Sequence, residues 1–234
     1  MGVLGEAWTW LTTGANWSGE SGAGHRLGEH LYVSGVSLAL ACAIALPVAL
    51  YLGHIGKGGA LAVNLSNAGR AIPVFAVLAL FMVSPLRNAG YVPTIIALVL
   101  FAVPPLLTNA YVGMTEVDRS AAEAARGMGM SGSQLFVRVE LPLAYPMIMT
   151  GLRSAAVQVI ATATIAAMVG QGGLGRIITA GFNTYNTPQV VAGALLVAVL
   201  ALAVEAVLVG LDRALSPLRR RRTAWPIRFA RHAS

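Results

Sequence analysis

Apolar residues in this chain come in long unbroken runs, and polar residues gather in short clusters between them. The first clear run covers residues 31–53, carries no charge, and has Pro47 near its end. Four more follow at residues 60–83, 92–114, 143–169 and 190–211. Runs of this length suit helices crossing a hydrocarbon core of about 30 Å. The pattern predicts an all-α polytopic membrane protein with about five transmembrane helices. Residues 1–30 read as an extracytoplasmic or interfacial segment, 31–213 as the membrane domain, and 214–234 as a basic tail. Trp8, Trp10 and Trp17 in the first segment suit a membrane–water interface, with plain disorder as the alternative. That segment lacks the basic start and long apolar centre of a signal peptide.

The few polar or helix-breaking residues inside the runs stand out. Arg70 and Pro73 lie in the second run. An arginine at the bilayer centre costs about 2.5–3.5 kcal/mol on insertion scales, so Arg70 either snorkels to an interface or lines a polar cavity. Pro104-Pro105 should kink or break the third run. Arg153, Gln158, Thr162 and Thr164 occupy the fourth, among small residues that permit close helix approach. Glu205 interrupts the fifth; it snorkels toward Arg213, pairs with a basic residue on another span, or carries a proton. Irregular backbone and polar side chains at membrane depth belong beside a cavity. Arg70, Pro73, Thr162, Thr164 and the loop glycines Gly172, Gly173 and Gly175 are therefore the candidate translocation-path residues.

Between the third and fourth runs lies a short, mildly amphipathic stretch. Ser120 and Glu123 have the spacing of a capping box, and Ser131 and Gln134 repeat it. Two short helices joined at Gly127-Met128-Gly129 follow, with Pro142 ending the second. A helix pair exposed between two spans is suited to docking a soluble partner; a hairpin that merely connects the spans is the alternative.

Composition agrees with the pattern: 56% of the 234 residues are hydrophobic and 11% charged. The single cysteine, Cys42, excludes an intrachain disulfide and packs as a small apolar group. The net charge of +7 is distributed as a topology signal and gives no reason to invoke nucleic acid. Lys57, Arg119, Arg126, Arg138, Arg213, the arginines from Arg219 to Arg222, Arg228 and Arg231 fall on one side of a five-span arrangement, and Arg26, Arg87 and Arg176 on the other. The positive-inside rule then predicts the N-terminus outside and the C-terminus inside the cytoplasmic membrane. The tail is a topology determinant that also touches anionic lipid. No phosphate-binding G-x-x-x-x-G-K-[ST] loop is present, and the histidines His25, His30, His54 and His232 are spread apart without metal-ligand spacing. Neither ATP hydrolysis, nor a cofactor, nor catalysis is expected of this chain.

Glu123-Ala124-Ala125, Gly129 beyond it, and then Val139 followed by Leu141-Pro142 resemble the EAA signature of ABC importer permease subunits. The family usually has isoleucine where Val139 stands. More widely, the five spans, the Gly172-Gly173-Leu174-Gly175 loop and Gly181 look like the osmoprotectant branch, which imports glycine betaine, choline, carnitine or proline. Methionine-type importers share the fold and a similar loop.

The resemblance implies a type I importer permease working by alternating access. Glu123, Ala124, Ala125, Gly129, Leu141 and Pro142 would form a cytoplasmic coupling element seated in an ATPase subunit. Glu123 would lie near the partner's basic groups, the two alanines would keep the contact thin, and Gly129 would make the turn. Expected partners are ATP-binding cassette ATPase subunits, a second permease subunit in a homodimer or heterodimer, and an extracytoplasmic substrate-binding protein. An ATP-independent channel or carrier, and a membrane scaffold that only recruits a protein, are the other classes.

Overall fold

A computed structural model describes residues 2–69, 71 and 73–216; the sequence readings on Arg70 and on the tail beyond Ser216 lie outside them. Ten α-helices follow in order among the described residues, without a strand. They are α1 (Val3–Thr12), α2 (Ala23–Ile55), α3 (Gly59–Gly69), α4 (Val74–Met82), α5 (Val92–Thr115), α6 (Arg119–Gly127), α7 (Gly132–Leu135), α8 (Leu141–Ala163), α9 (Gly175–Asn183) and α10 (Thr187–Leu215). Four helical bodies are long and apolar enough to cross a membrane, or five if the bent pair α3–α4 counts as one span.

The first span is longer than its apolar run. α2 begins at Ala23, because Arg26, Glu29 and His30 extend the helix with polar side chains that find partners within the protein. It ends where Gly56 takes the left-handed conformation at φ 65°. Ahead of it, α1 at about 15 Å is too short to span. It is ordered nonetheless. Asn16 Nδ2 donates to the Trp10 carbonyl at 2.8 Å, Trp17 Nε1 donates to that of Leu11 at 2.7 Å, and Trp10 packs against the buried cluster of Ala23, Ile160, Leu174, Ile177 and Val197.

Small side chains at every fourth position build the core. Ser37, Ala41, Ala45 and Ala49 form one fully buried stripe on α2. It meets Leu98, Ala102, Leu106 and Ala110 of α5, and Ala155, Val159 and Ala163 of α8. Stripes of this kind let helices approach closely in a lipid environment, where packing contacts rather than water exclusion drive association. The α5–α8 seam is tight enough that a Cβ on Gly113 would lie 2.7 Å from Met147 Cβ, and one on Gly151 would lie 3.0 Å from the Pro105 carbonyl oxygen. Larger residues on these stripes would overpack, at about 1–3 kcal/mol each.

Of the kink or break expected at Pro104-Pro105, the break does not occur: α5 runs as one helix through both prolines, which are buried. Pro142 does not end the hairpin's second helix. A π-turn at Phe136–Glu140 joins α7 directly to α8, with the Leu141 N–H bonded to the Phe136 carbonyl. Proline is tolerated because it sits in the first turn of α8, where the wider π-turn has already displaced the normal bonding register. The second run does break: α3 and α4 diverge by 69°, and Pro73 is the N-cap of α4. The segment after α8 is less irregular than expected. A 3-10 turn (Ile165–Val169) leads to the Gly170 loop, and α9 then occupies most of it.

Candidate functional site

Two constellations stand at opposite ends of α2, separated by about 35 Å of helix. The first is the helix pair α6–α7. Asp118, rather than Ser120, caps α6 by accepting a hydrogen bond from the Ser120 N–H at 2.8 Å. Hydrogen bonds from Ser120 hold the Asp118 carboxyl below the usual carboxylate range. This cap is therefore intact at neutral pH and is lost as pH falls through that lowered value. The end of α6 is a Schellman turn: Gly129 N–H bonds to the Arg126 carbonyl at 2.9 Å and Met130 N–H to that of Ala125 at 3.2 Å. Gly129 supplies the positive φ of 82° that the turn needs. The predicted second capping box is present, with Ser131 Oγ accepting from Gln134 N–H and Gln134 Oε1 accepting from Ser131 N–H at 2.9 Å.

These caps fix a rigid knuckle with two faces. Ala125 and Leu135 are buried, where α6 and α7 pack on each other and on the π-turn. Glu123, Ala124, Arg126 and Gly129 face outward, with Met128 beside them at 73% exposure. Leu141 and Pro142 lie half-buried where α8 begins. The knuckle is tied to the bundle by residues that sequence reasoning passed over. His54, in the last turn of α2, shares a 2.5 Å hydrogen bond through Nδ1 with Glu140 Oε2, and its ring meets Phe136 edge-on at a centroid distance of 5.4 Å. A histidine beside a helix-ending glycine, and a glutamate just before Leu-Pro, were the available signals.

At the other end, Glu29 gathers three donors. Its carboxylate accepts from Arg26 Nη1 at 2.8 Å, Tyr91 Oη at 2.7 Å and the Gly173 N–H at 2.8 Å. Beside it, His30 is fully buried between the Ile160 carbonyl, 3.0 Å from Nε2, and the Leu174 N–H, 3.3 Å from Nδ1. A carbonyl only accepts and an N–H only donates, so this ring carries its proton on Nε2 and is neutral. The loop glycines explain themselves here. A Cβ on Gly172 would lie 2.5 Å from Glu29 Oε2, Gly173 has φ 92°, and a Cβ on Gly175 would strike the Thr164 carbonyl oxygen. None of Glu29, His30 and Tyr91 was singled out from sequence.

Among the tentative path residues, Gly172 and Gly173 meet α2, and Gly175 meets Thr164. Thr164 Oγ1 donates to the Ala161 carbonyl at 2.6 Å, and Thr162 is half-buried one turn from Gln158. Pro73 is exposed at the α3–α4 break and joins none of them. The two charges in mid-span are paired: Arg153 Nε donates to Glu205 Oε1 at 2.9 Å, which selects the pairing alternative for Glu205. Among the described residues no cluster of side chains could hold a metal ion.

Membrane-length apolar helices whose mid-span charges pair with each other define a multi-pass membrane protein. Residues 35–221 match the family described as binding-protein-dependent transport system inner membrane component, and the chain belongs to that family. It is 36% identical over 193 residues to the glycine betaine/carnitine/choline transport system permease protein OpuCB of Bacillus subtilis (strain 168), covering 82% of this chain and 88% of that one. It is 38% identical over 189 residues to the carnitine transport permease protein OpuCB of Listeria monocytogenes, covering 81% of this chain and 86% of that one. In fold it resembles the inward-facing MetNI methionine ABC transporter, with a TM-score of 0.71 and 24% identity over 82% of this chain and 95% of that one. The type I importer permease fold expected from the sequence is thereby borne out.

Proposed function

We propose that this chain is the membrane-spanning permease subunit of an ATP-driven importer for a small osmoprotectant such as glycine betaine, choline or carnitine. The observation that carries the proposal is the knuckle: capped at both helix ends, held by the buried side chains of Ala125 and Leu135, and presenting Glu123, Ala124 and Met128 on its exposed face. Rigid exposed structure at one end of a membrane bundle is where a separate machine can apply force. ATPase subunits would seat this element, with Glu123 beside basic groups of the partner, Gly129 setting the turn, and Leu141-Pro142 passing the displacement into α8. Closure of the ATPase pair would then rock two permease subunits between inward- and outward-facing states. The knuckle lies in the cytoplasm and the Gly170 loop outside, as the arginine distribution supports. An extracytoplasmic binding protein delivers solute to that outer end. The names of the relatives support the osmoprotectant class over a methionine-type solute.

The test is copurification followed by uptake. An ATPase subunit is expected to co-elute with the chain in detergent, and the reconstituted complex to take up radiolabelled glycine betaine, choline or carnitine only with ATP. Uptake that persists without the ATPase would overturn the reading in favour of a carrier. Gly172, Gly173 and Gly175 would form the outer closure, with Thr162 and Thr164 beside the path.

A further inference from the structure

One face of α8 carries Thr150, Ser154, Gln158 and Thr162 at successive turns, a polar stripe on a helix otherwise made for membrane. Opposite it, α10 presents Ala201, Leu202 and Glu205, and the two helices enclose an open groove of about 550 Å³. Arg153 and Glu205 sit in this groove with their side chains 34% and 30% exposed. Arg153 is about 18 Å along α8 from Leu141, and Glu205 about 15 Å before the end of α10, so both lie well inside the bilayer. Their mutual bonding is incomplete. Both guanidinium contacts fall on Glu205 Oε1; among the described residues, Oε2 and Arg153 Nη1 have no partner. Beside them, Ser154 is exposed and Gln158 half-buried, both lining the groove.

Part-exposed charges and an amide side chain at that depth do not face hydrocarbon. We propose that the α8–α10 groove is a solute station on the translocation path, at which a small organic cation or zwitterion is held beside the Arg153–Glu205 pair. The inference rests on the import reading above and deepens it by naming the site and the charge type it takes. A free carboxylate oxygen next to free guanidinium N–H groups complements a solute that carries a fixed positive charge, with or without a carboxylate. Ser154 and Gln158 lie in the same groove and offer neutral hydrogen bonds to a passing carboxylate or hydroxyl. The wide apolar remainder suits methyl groups around a quaternary nitrogen.

The test uses the whole complex, with its ATPase and binding-protein partners, in membrane vesicles. Ser154→Cys is introduced into a Cys42→Ala background, with Gln158→Cys as a second position. Reaction with a small water-soluble methanethiosulfonate is measured with and without glycine betaine or choline, and ATP-driven uptake of both is followed in the same vesicles. The expected result is modification from the aqueous phase that slows about tenfold when solute saturates the station. Three results would overturn the inference: reaction only with a lipid-soluble maleimide, disulfide capture of a second copy of this chain, or aqueous modification at equal rates with and without solute. Normal uptake together with any of these removes the station alone. Absence of uptake by the unsubstituted complex removes the import reading, and this inference with it.

Discussion

The two ends of α2 solve opposite problems. At the glycine-loop end, the Glu29 carboxylate accepts three hydrogen bonds, both nitrogens of His30 are engaged, and three glycines bring backbone to within contact of α2 or α8. That end is closed upon itself. At the hairpin end, one His54–Glu140 contact and two buried side chains hold a knuckle whose outward face is exposed among the described residues. A region satisfied by its own chain resists change, whereas a rigid region with an uncovered face is prepared for another molecule. The difference marks where polar groups are satisfied within the chain and where a rigid face is presented to a force-bearing partner.

Substitutions should separate the ends by what they damage. The largest effect is expected from Gly175→Val, whose side chain would run into the Thr164 carbonyl; loss of about 3 kcal/mol or more should appear as failure to accumulate folded protein in detergent chromatography. Glu29→Ala leaves the Gly173 N–H, Tyr91 hydroxyl and Arg26 guanidinium without their acceptor, and should cost about 2–3 kcal/mol in thermal unfolding of the detergent-solubilised protein. At the other end, Ser131→Ala removes half of the capping box and should cost about 1 kcal/mol by the same assay. Glu123→Lys should shift stability by less than about 0.5 kcal/mol, since the side chain is exposed, yet abolish ATP-driven uptake with membrane insertion unchanged. A Glu123→Lys protein that transports normally would erase the contrast between the ends.

How much of this was legible in sequence follows from the range of each signal. Apolar runs placed the spans, and Ser131 with Gln134 and Gly129 placed the knuckle, because capping and turn chemistry act within a few residues. Ser120 was misread as a cap because the helix starts two residues earlier, where Asp118 accepts the N–H of Ser120 itself. Pro142 was misread as a terminator because a π-turn, invisible in local composition, carries the helix past it. The extension of α2 ahead of its apolar run was not visible because Arg26, Glu29 and His30 find their partners only when Tyr91, Ile160 and the Gly173 backbone are brought to them. Gly173 lies 144 residues from Glu29, and Glu140 lies 86 from His54, distances over which periodicity says nothing. The Arg153–Glu205 pairing was one of several alternatives from sequence, and only the α8–α10 packing selects it.

The central claim is that force made in a separate ATPase enters through the knuckle. It is tested most directly by placing Met128→Cys in a Cys42→Ala background and treating membranes of cells expressing the whole complex with a short bifunctional thiol-to-amine crosslinker. The account predicts a covalent adduct between this chain and the ATPase subunit. A Met128→Cys thiol that labels fully with a simple maleimide, yet never joins the ATPase in a copurifying complex, would contradict it.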